Sequence, residues 1–192
     1  HESGHAVIAH FLPFADPVHK ISIIPRGIAA LGYTLQLPLE DRFIMTKGEI
    51  LEHITVLMGG RIAENIFFNE STTGAKNDLK VATETVQKMI TEYGMSEKLG
   101  PITLGKSDEQ VFLGRDFSKE RNFSEAVASE IDEEIRRIIN ECYKRGEEII
   151  KYNKPKLEKL ASVLLEKEVL DAKEIEKILG KSPKNKFPLL KT

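Results

Sequence analysis

An internal disulfide is excluded, because Cys142 is the only cysteine among these 192 residues. A lone thiol suits a reducing compartment. Long apolar runs are missing too: none approaches the ~18–20 residues that cross a bilayer, and no signal-peptide succession is present. Neither sign of charge dominates. Twenty-eight basic residues stand against 30 acidic ones, a formal charge of −2, so composition implies no nucleic acid or other polyanion partner. There is no internal repeat. What remains, at 41% hydrophobic and 30% charged, reads as a globular chain long enough to bury a core. The first residue already belongs to a motif that normally lies inside a helix. The expectation is therefore a fragment of a longer protein, whose upstream part could carry features not seen here.

The pattern along the chain is mainly α with a small β-sheet. Ala6, Ile8, Ala9 and Leu12 suit a helix that Pro13 ends. Residues 18–24 and 31–37 are β-branched strand candidates around a turn at Pro25-Arg26-Gly27. Thr46-x-x-Glu49 is a capping box opening a second helix with Ile50, Ile54, Leu57 and Ile62, which carries Gly59-Gly60 inside it. Two such glycines cost about 1 kcal/mol each against alanine, and close packing on a neighbouring helix would offset that. Ser71-Thr72-Thr73-Gly74 reads as a loop and cap. It leads into a third helix with Ala82, Val86, Met89, Ile90 and Tyr93 on one side and Gly94 as its stop. Beyond an irregular stretch, Val127, Ile131, Ile135, Ile138 and Cys142 mark an amphipathic helix from about 119 to 151. Shorter helices near 155–167 and 171–179, the last capped by Asp171 and stopped by Gly180, are expected to pack on it. The division expected is 1–117 as a core unit, 118–180 as a C-terminal helical bundle and 181–192 as a disordered tail.

The chemistry starts at His1-Glu2-Ser3-Gly4-His5. On a helix the two histidines share one face, about 6 Å apart along the axis, so both imidazoles can bind one Zn²⁺ beside the Glu2 carboxylate. Zinc lowers the pKa of a bound water toward about 7, and a carboxylate can then take its proton as the water attacks a peptide carbonyl. A chance match on a helix fits the same three fixed positions. A catalytic zinc also needs a third protein ligand. His10 lies about 140° around the helix from His5, His19 heads a strand, and His53 sits mid-helix, where packed or exposed histidines are commoner than ligands.

Further blocks accompany the motif: Asp16-Pro17-Val18-His19-Lys20 with Ile24-Pro25-Arg26-Gly27, Gly59-Gly60-Arg61-x-Ala63-Glu64, and Ser71-Thr72-x-Gly74-Ala75-x-Asn77-Asp78 with Ala82-Thr83. Ser96-Glu97-Lys98-Leu99-Gly100 and Phe112-Leu113-Gly114-Arg115 come after them. In this order, over residues 1 to about 135, they resemble the FtsH-type membrane-anchored, ATP-dependent zinc metalloproteases, AAA proteases of protein quality control. Six ordered blocks are far more specific than H-E-x-x-H alone, and chance is no longer a serious competitor. The resemblance implies a zincin-like H-E-x-x-H metallopeptidase domain, with Asp78 as the third zinc ligand beside His1 and His5. Asp78 opens a helix whose dipole favours an ionised carboxylate, where a simple cap is the alternative role. Glu64 is the rival ligand, and in the family it reads better as a group orienting a ligating histidine. Its neighbour, acidic in many relatives, is Asn65 here. Leu31-Gly32-Tyr33-Thr34 would be a sheet edge along which an extended substrate pairs by its backbone, with an ordinary outer strand as the alternative. The family also implies unfolded or membrane-extracted polypeptides as substrates and a homohexamer. It implies an upstream membrane anchor too, with this domain on the cytoplasmic or organelle-matrix side.

ATP would belong to a separate upstream ATPase module. Gly100-Pro101-Ile102-Thr103-Leu104-Gly105-Lys106-Ser107 does satisfy the P-loop expression. A P-loop, however, lies between a buried strand and the start of a helix. Here a helix and Ser96-Glu97-Lys98 precede the stretch, and Gly114 soon interrupts the residues downstream of it. No nucleotide site is expected here. Two readings remain: a zinc endopeptidase with Glu2 as base, or a catalytically degenerate relative serving as a hexamer-assembly module. Retention of Glu2 beside both histidines favours the first, since a structural zinc needs no base.

Overall fold

In a computed structural model, residues 1–25, 32–38, 44–104 and 123–182 are described. Helix α1 (Glu2–Phe11) buries Ala6, Val7, Ile8, Ala9 and Phe11 on every side. A helix apolar all round belongs in the middle of a protein, and most of the other elements pack against it. It ends at Leu12, which is extended at φ −87° and ψ 134° because the following proline disfavours helical backbone.

Strand β1 (Val18–Ser22) pairs antiparallel with β2 (Tyr33–Gln36), Ile21 opposite Thr34. On its other side it pairs with β3 (Val169–Asp171), giving the order β2-β1-β3. Among the described residues nothing pairs with the outer edge of β2. Leu31, at the start of the expected edge, lies outside the described residues, as do Arg26 and Gly27 of the turn.

The capping box forms at Thr46 and Glu49 and opens α2 (Lys47–Leu57). The expected single helix through Ile62 does not. It breaks at Met58, and α3 (Gly59–Phe68) starts afresh. The cause is contact: a Cβ on Gly59 would lie 2.8 Å from the backbone carbonyl carbon and oxygen of Gly4. Helices α1 and α3 therefore touch backbone to backbone at this point.

A 3₁₀ turn (Thr73–Ala75) leads into α4 (Lys76–Thr91), which buries Ala82, Val86, Met89 and Ile90. Tyr93 does not join them. It is 53% exposed, since the helix has ended by Thr91 and Gly94 (φ +60°) turns the chain away.

Helix α5 (Glu125–Tyr152) begins at a Ser124 cap and buries Ile131, Ile138 and Cys142, with Val127 and Ile135 half-buried beside them. Helix α6 (Lys154–Lys167) packs chiefly on α1 and α7 (Ala172–Leu179) rather than on α5. An Asp171–Glu174 capping box opens α7, and Gly180 ends it. Strand β3 was not expected: three residues directly before a helix cap give no alternation to read. One buried core runs from Ala6 to Leu179. Of the tail, Ser182 donates to the His10 carbonyl at 2.6 Å, and residues from 183 onward lie outside the described residues. So do Gly105, Lys106 and Ser107 of the P-loop-like stretch, and the 112–115 block. Among the described residues no helix is long and apolar enough to cross a membrane.

Candidate metal centre

The first turn of α1 and the first turn of α4 face each other. His1 Nε2 lies 3.2 Å from His5 Nε2 and 3.2 Å from Asp78 Oδ2, and His5 Nε2 lies 3.4 Å from the same oxygen. His10, His19 and His53 stand apart from this group. His10 is bonded to the Gly180 carbonyl at 2.8 Å, and the other two are exposed.

Each imidazole is oriented from behind. His5 Nδ1 donates to the Val56 carbonyl at 2.7 Å, and His1 Nδ1 donates to Glu64 Oε1 at 2.8 Å. Glu64 is itself clamped, accepting from the Thr72 backbone N–H and hydroxyl, each at 3.1 Å. Arg61 steadies that loop by donating to the Thr72 carbonyl at 2.7 Å. Gly60 makes room for the ring, since a Cβ there would collide with His1. Sequence reading reached Glu64 but not Thr72, the Val56 carbonyl or this use of Gly60. The Ser71-Thr72-x-Gly74 block was the available signal for Thr72, which also caps the 3₁₀ turn through the Gly74 N–H.

With both Nδ1 atoms donating, both Nε2 atoms of neutral imidazoles are acceptors. They converge with a carboxylate oxygen, three lone-pair atoms and no proton among them. That arrangement calls for a cation. Tetrahedral zinc with bonds of about 2.0–2.1 Å requires ligand separations of about 3.3–3.4 Å, which the observed triangle of 3.2, 3.2 and 3.4 Å matches. Among the described residues this is the group of His, Cys, Asp and Glu that could hold a metal ion.

The electrostatics agree. The hydrogen bond to Asp78 raises the His1 pKa, against the opposing effect of burial and with help from Glu64. Burial pushes Asp78 up, but the His1 and His5 hydrogen bonds outweigh it and hold the carboxyl far below its usual range. Burial likewise opposes ionisation of Glu64, and the Thr72 N–H and His1 overcome it. Both carboxylates are therefore anionic at neutral pH, and a proton on His1 occupies the place that a metal ion would take.

Glu2 stands at the start of α1, its Oε2 accepting from the Thr34 hydroxyl of β2 at 2.8 Å. Gly32 lies against the same side chain, Tyr33 is half-buried, and Tyr33 and Thr34 both lie in β2.

The sequence model of peptidase family M41 matches residues 1–178. The chain belongs to peptidase family M41. Curated relatives of this M41 chain include the ATP-dependent zinc metalloprotease FtsH of Pseudothermotoga lettingae, 56% identical over 180 residues. That alignment covers 93% of this chain and 29% of the relative. The protein of the same name from Bacillus subtilis is 52% identical over 190 residues, covering 97% and 30%, and that of Thermotoga maritima 48% over 180 residues, covering 94% and 30%. The M41 chain thus spans just under a third of the length of these relatives.

Proposed function

We propose that this M41 chain is the proteolytic part of a zinc metalloendopeptidase of the zincin type, with His1, His5 and Asp78 as ligands and Glu2 as general base. The observation that carries the reading is the convergence of three lone-pair atoms at 3.2, 3.2 and 3.4 Å. Zinc bound there would supply a Lewis acid that makes water acidic enough to deprotonate near neutral pH.

The protein's own residues do the rest. Glu2 accepts the proton of the attacking water and returns it to the leaving amine, which must gain one as the peptide bond breaks. General-base catalysis of this kind contributes about 10²–10⁴-fold. Glu64 acts through His1, fixing its tautomer so that Nε2 keeps its lone pair. The outer edge of β2 (Tyr33–Gln36), with Gly32 just before it, has no neighbouring strand among the described residues and would offer backbone groups to an extended polypeptide irrespective of its side chains. Broad specificity for unfolded or membrane-extracted chains is the consequence.

The relatives' names print ATP dependence. On that ground and the resemblance in sequence, the whole protein is proposed to add an ATPase, a membrane anchor and a homohexameric ring outside this segment. The test is metal content against hydrolysis of casein. About one zinc per chain, activity lost to a chelator and restored by zinc, supports the reading. Hydrolysis that survives complete removal of metal overturns it.

A further inference from the structure

Strand β2 and the residue before it meet Glu2 at two positions. The Thr34 hydroxyl lies 2.8 Å from Glu2 Oε2 and 3.1 Å from the Glu2 carbonyl oxygen. Two residues earlier, and so on the same face of the strand's path, Gly32 leaves room for the side chain. A Cβ there would come within 2.9 Å of both Glu2 Cγ and Oε1. Oxygen Oε2 is thus held by a hydroxyl, and Oε1 lies over a glycine with no side chain to cover it.

The hydroxyl has one proton and faces two acceptors of the same residue. The carboxylate is both closer and charged, so it takes the stronger bond. Glu2 sits at the first position of α1, before the helix has a complete turn around it. A side chain there has several rotamers to choose from. The hydrogen bond from Thr34 on the neighbouring strand selects one of them.

We propose that Thr34 is a positioning residue for the general base. Its hydroxyl fixes the Glu2 carboxylate so that Oε1 is left for the water. This rests on the assignment of Glu2 as base. It also links two parts of the site: the strand whose outer edge would carry the substrate backbone is the strand that orients the base. Thr34 does so through its side chain. Removing the hydroxyl should therefore lower kcat and leave KM and metal content in place.

The experiment compares Thr34→Val, Thr34→Ser and Glu2→Gln in the zinc-loaded protein with an unstructured peptide substrate. Valine keeps the shape and β-branching that suit a half-buried strand, and Thr34→Ala removes the same hydroxyl should valine disturb folding. The expected result is a kcat loss on the order of 10–100-fold for Thr34→Val, KM within about 2-fold, zinc content unchanged, and recovery of most activity in Thr34→Ser. A readout independent of zinc and activity is a double-mutant cycle on the metal-free protein. The Tm shift of Thr34→Val should shrink when Glu2→Ala is already present, because the two side chains are coupled.

Unchanged kcat in Thr34→Val, or Tm shifts that simply add, overturns the proposal. So does a variant that loses zinc and raises KM along with the fall in kcat, which would make Thr34 a fold-supporting residue. An active Glu2→Gln variant would remove the base assignment itself, and this proposal with it. An inactive Glu2→Gln beside a fully active Thr34→Val removes this proposal only.

Discussion

Replacing the Glu2 carboxylate by an amide keeps the side chain's shape and removes its ability to accept a proton at neutral pH. Glu2→Gln should therefore retain about one zinc per chain while casein hydrolysis falls by roughly 10²–10⁴-fold. Metal analysis and a protease assay on the same preparation check this. Digestion near the parental rate would mean another group is the base. At this scale legibility depends on distance along the chain. A spacing of four on a helix encodes the juxtaposition of His1 and His5, so the pair could be proposed from five letters. Asp78 comes from another helix, 77 residues from His1. Only family resemblance, not spacing, pointed to it. Thr34 and Thr72 act through hydroxyls and Val56 through a backbone carbonyl. Such bonds follow no spacing rule, although Thr72 lies in a block that the sequence does mark.

Elements are where the periodicity reading both succeeded and failed. Caps at Thr46 and Asp171 were readable because a capping box is a local structure, closed within four residues. The break between α2 and α3 was not, because its cause is the Gly4–Gly59 contact with a distant helix. A methyl group at Gly59 would meet backbone atoms of Gly4 and His5 at 2.8 Å, and backbone cannot step aside. Gly59→Ala should cost about 1–3 kcal/mol and weaken zinc binding by displacing His5, seen as a lower Tm together with a lower metal occupancy. A Gly59→Ala protein with parental Tm and zinc content would refute the close-packing explanation of the break.

Helix α5 is tied to the turn after α4 by Glu134. That carboxylate is buried and accepts from Arg137 Nε at 2.7 Å and from the Ser96 hydroxyl at 2.8 Å. The Arg137 bond, against burial, lowers its pKa. A carboxyl whose folded pKa is depressed adds stability above its unfolded value and loses it as pH falls through the folded value. The Tm difference between the parent and Glu134→Gln should therefore be full at neutral pH and shrink below about pH 4.3, the ordinary glutamate value. A difference that stays constant from pH 7 to about pH 3 would show that Glu134 does not act through its charge.

On the scale of the whole molecule, a mainly α chain with a small sheet was legible from hydrophobic periodicity, because helices of ten or more residues repeat their pattern several times. The packing of α2, α3, α5, α6, β1 and β2 against α1 was not legible. A helix buried on all sides has no polar face to give its place away, and β3 joins the sheet from the far end of the chain. This arrangement is what lets three donors from two distant helices meet at one point. The central claim is that His1, His5 and Asp78 form the ligand set, with Glu64 orienting His1 from behind. The most direct test is zinc stoichiometry and affinity at fixed pH for Asp78→Asn against Glu64→Gln. Fixed pH matters because ligand histidines bind metal only when neutral. Asp78→Asn exchanges a charged donor for a neutral amide and should lose zinc at concentrations that saturate the parent. Glu64→Gln should still bind, with affinity or activity reduced by about 10–100-fold. Both should keep their helical circular dichroism. Stoichiometric zinc and full activity in Asp78→Asn, with both lost in Glu64→Gln, would contradict the account and make Glu64 the third ligand.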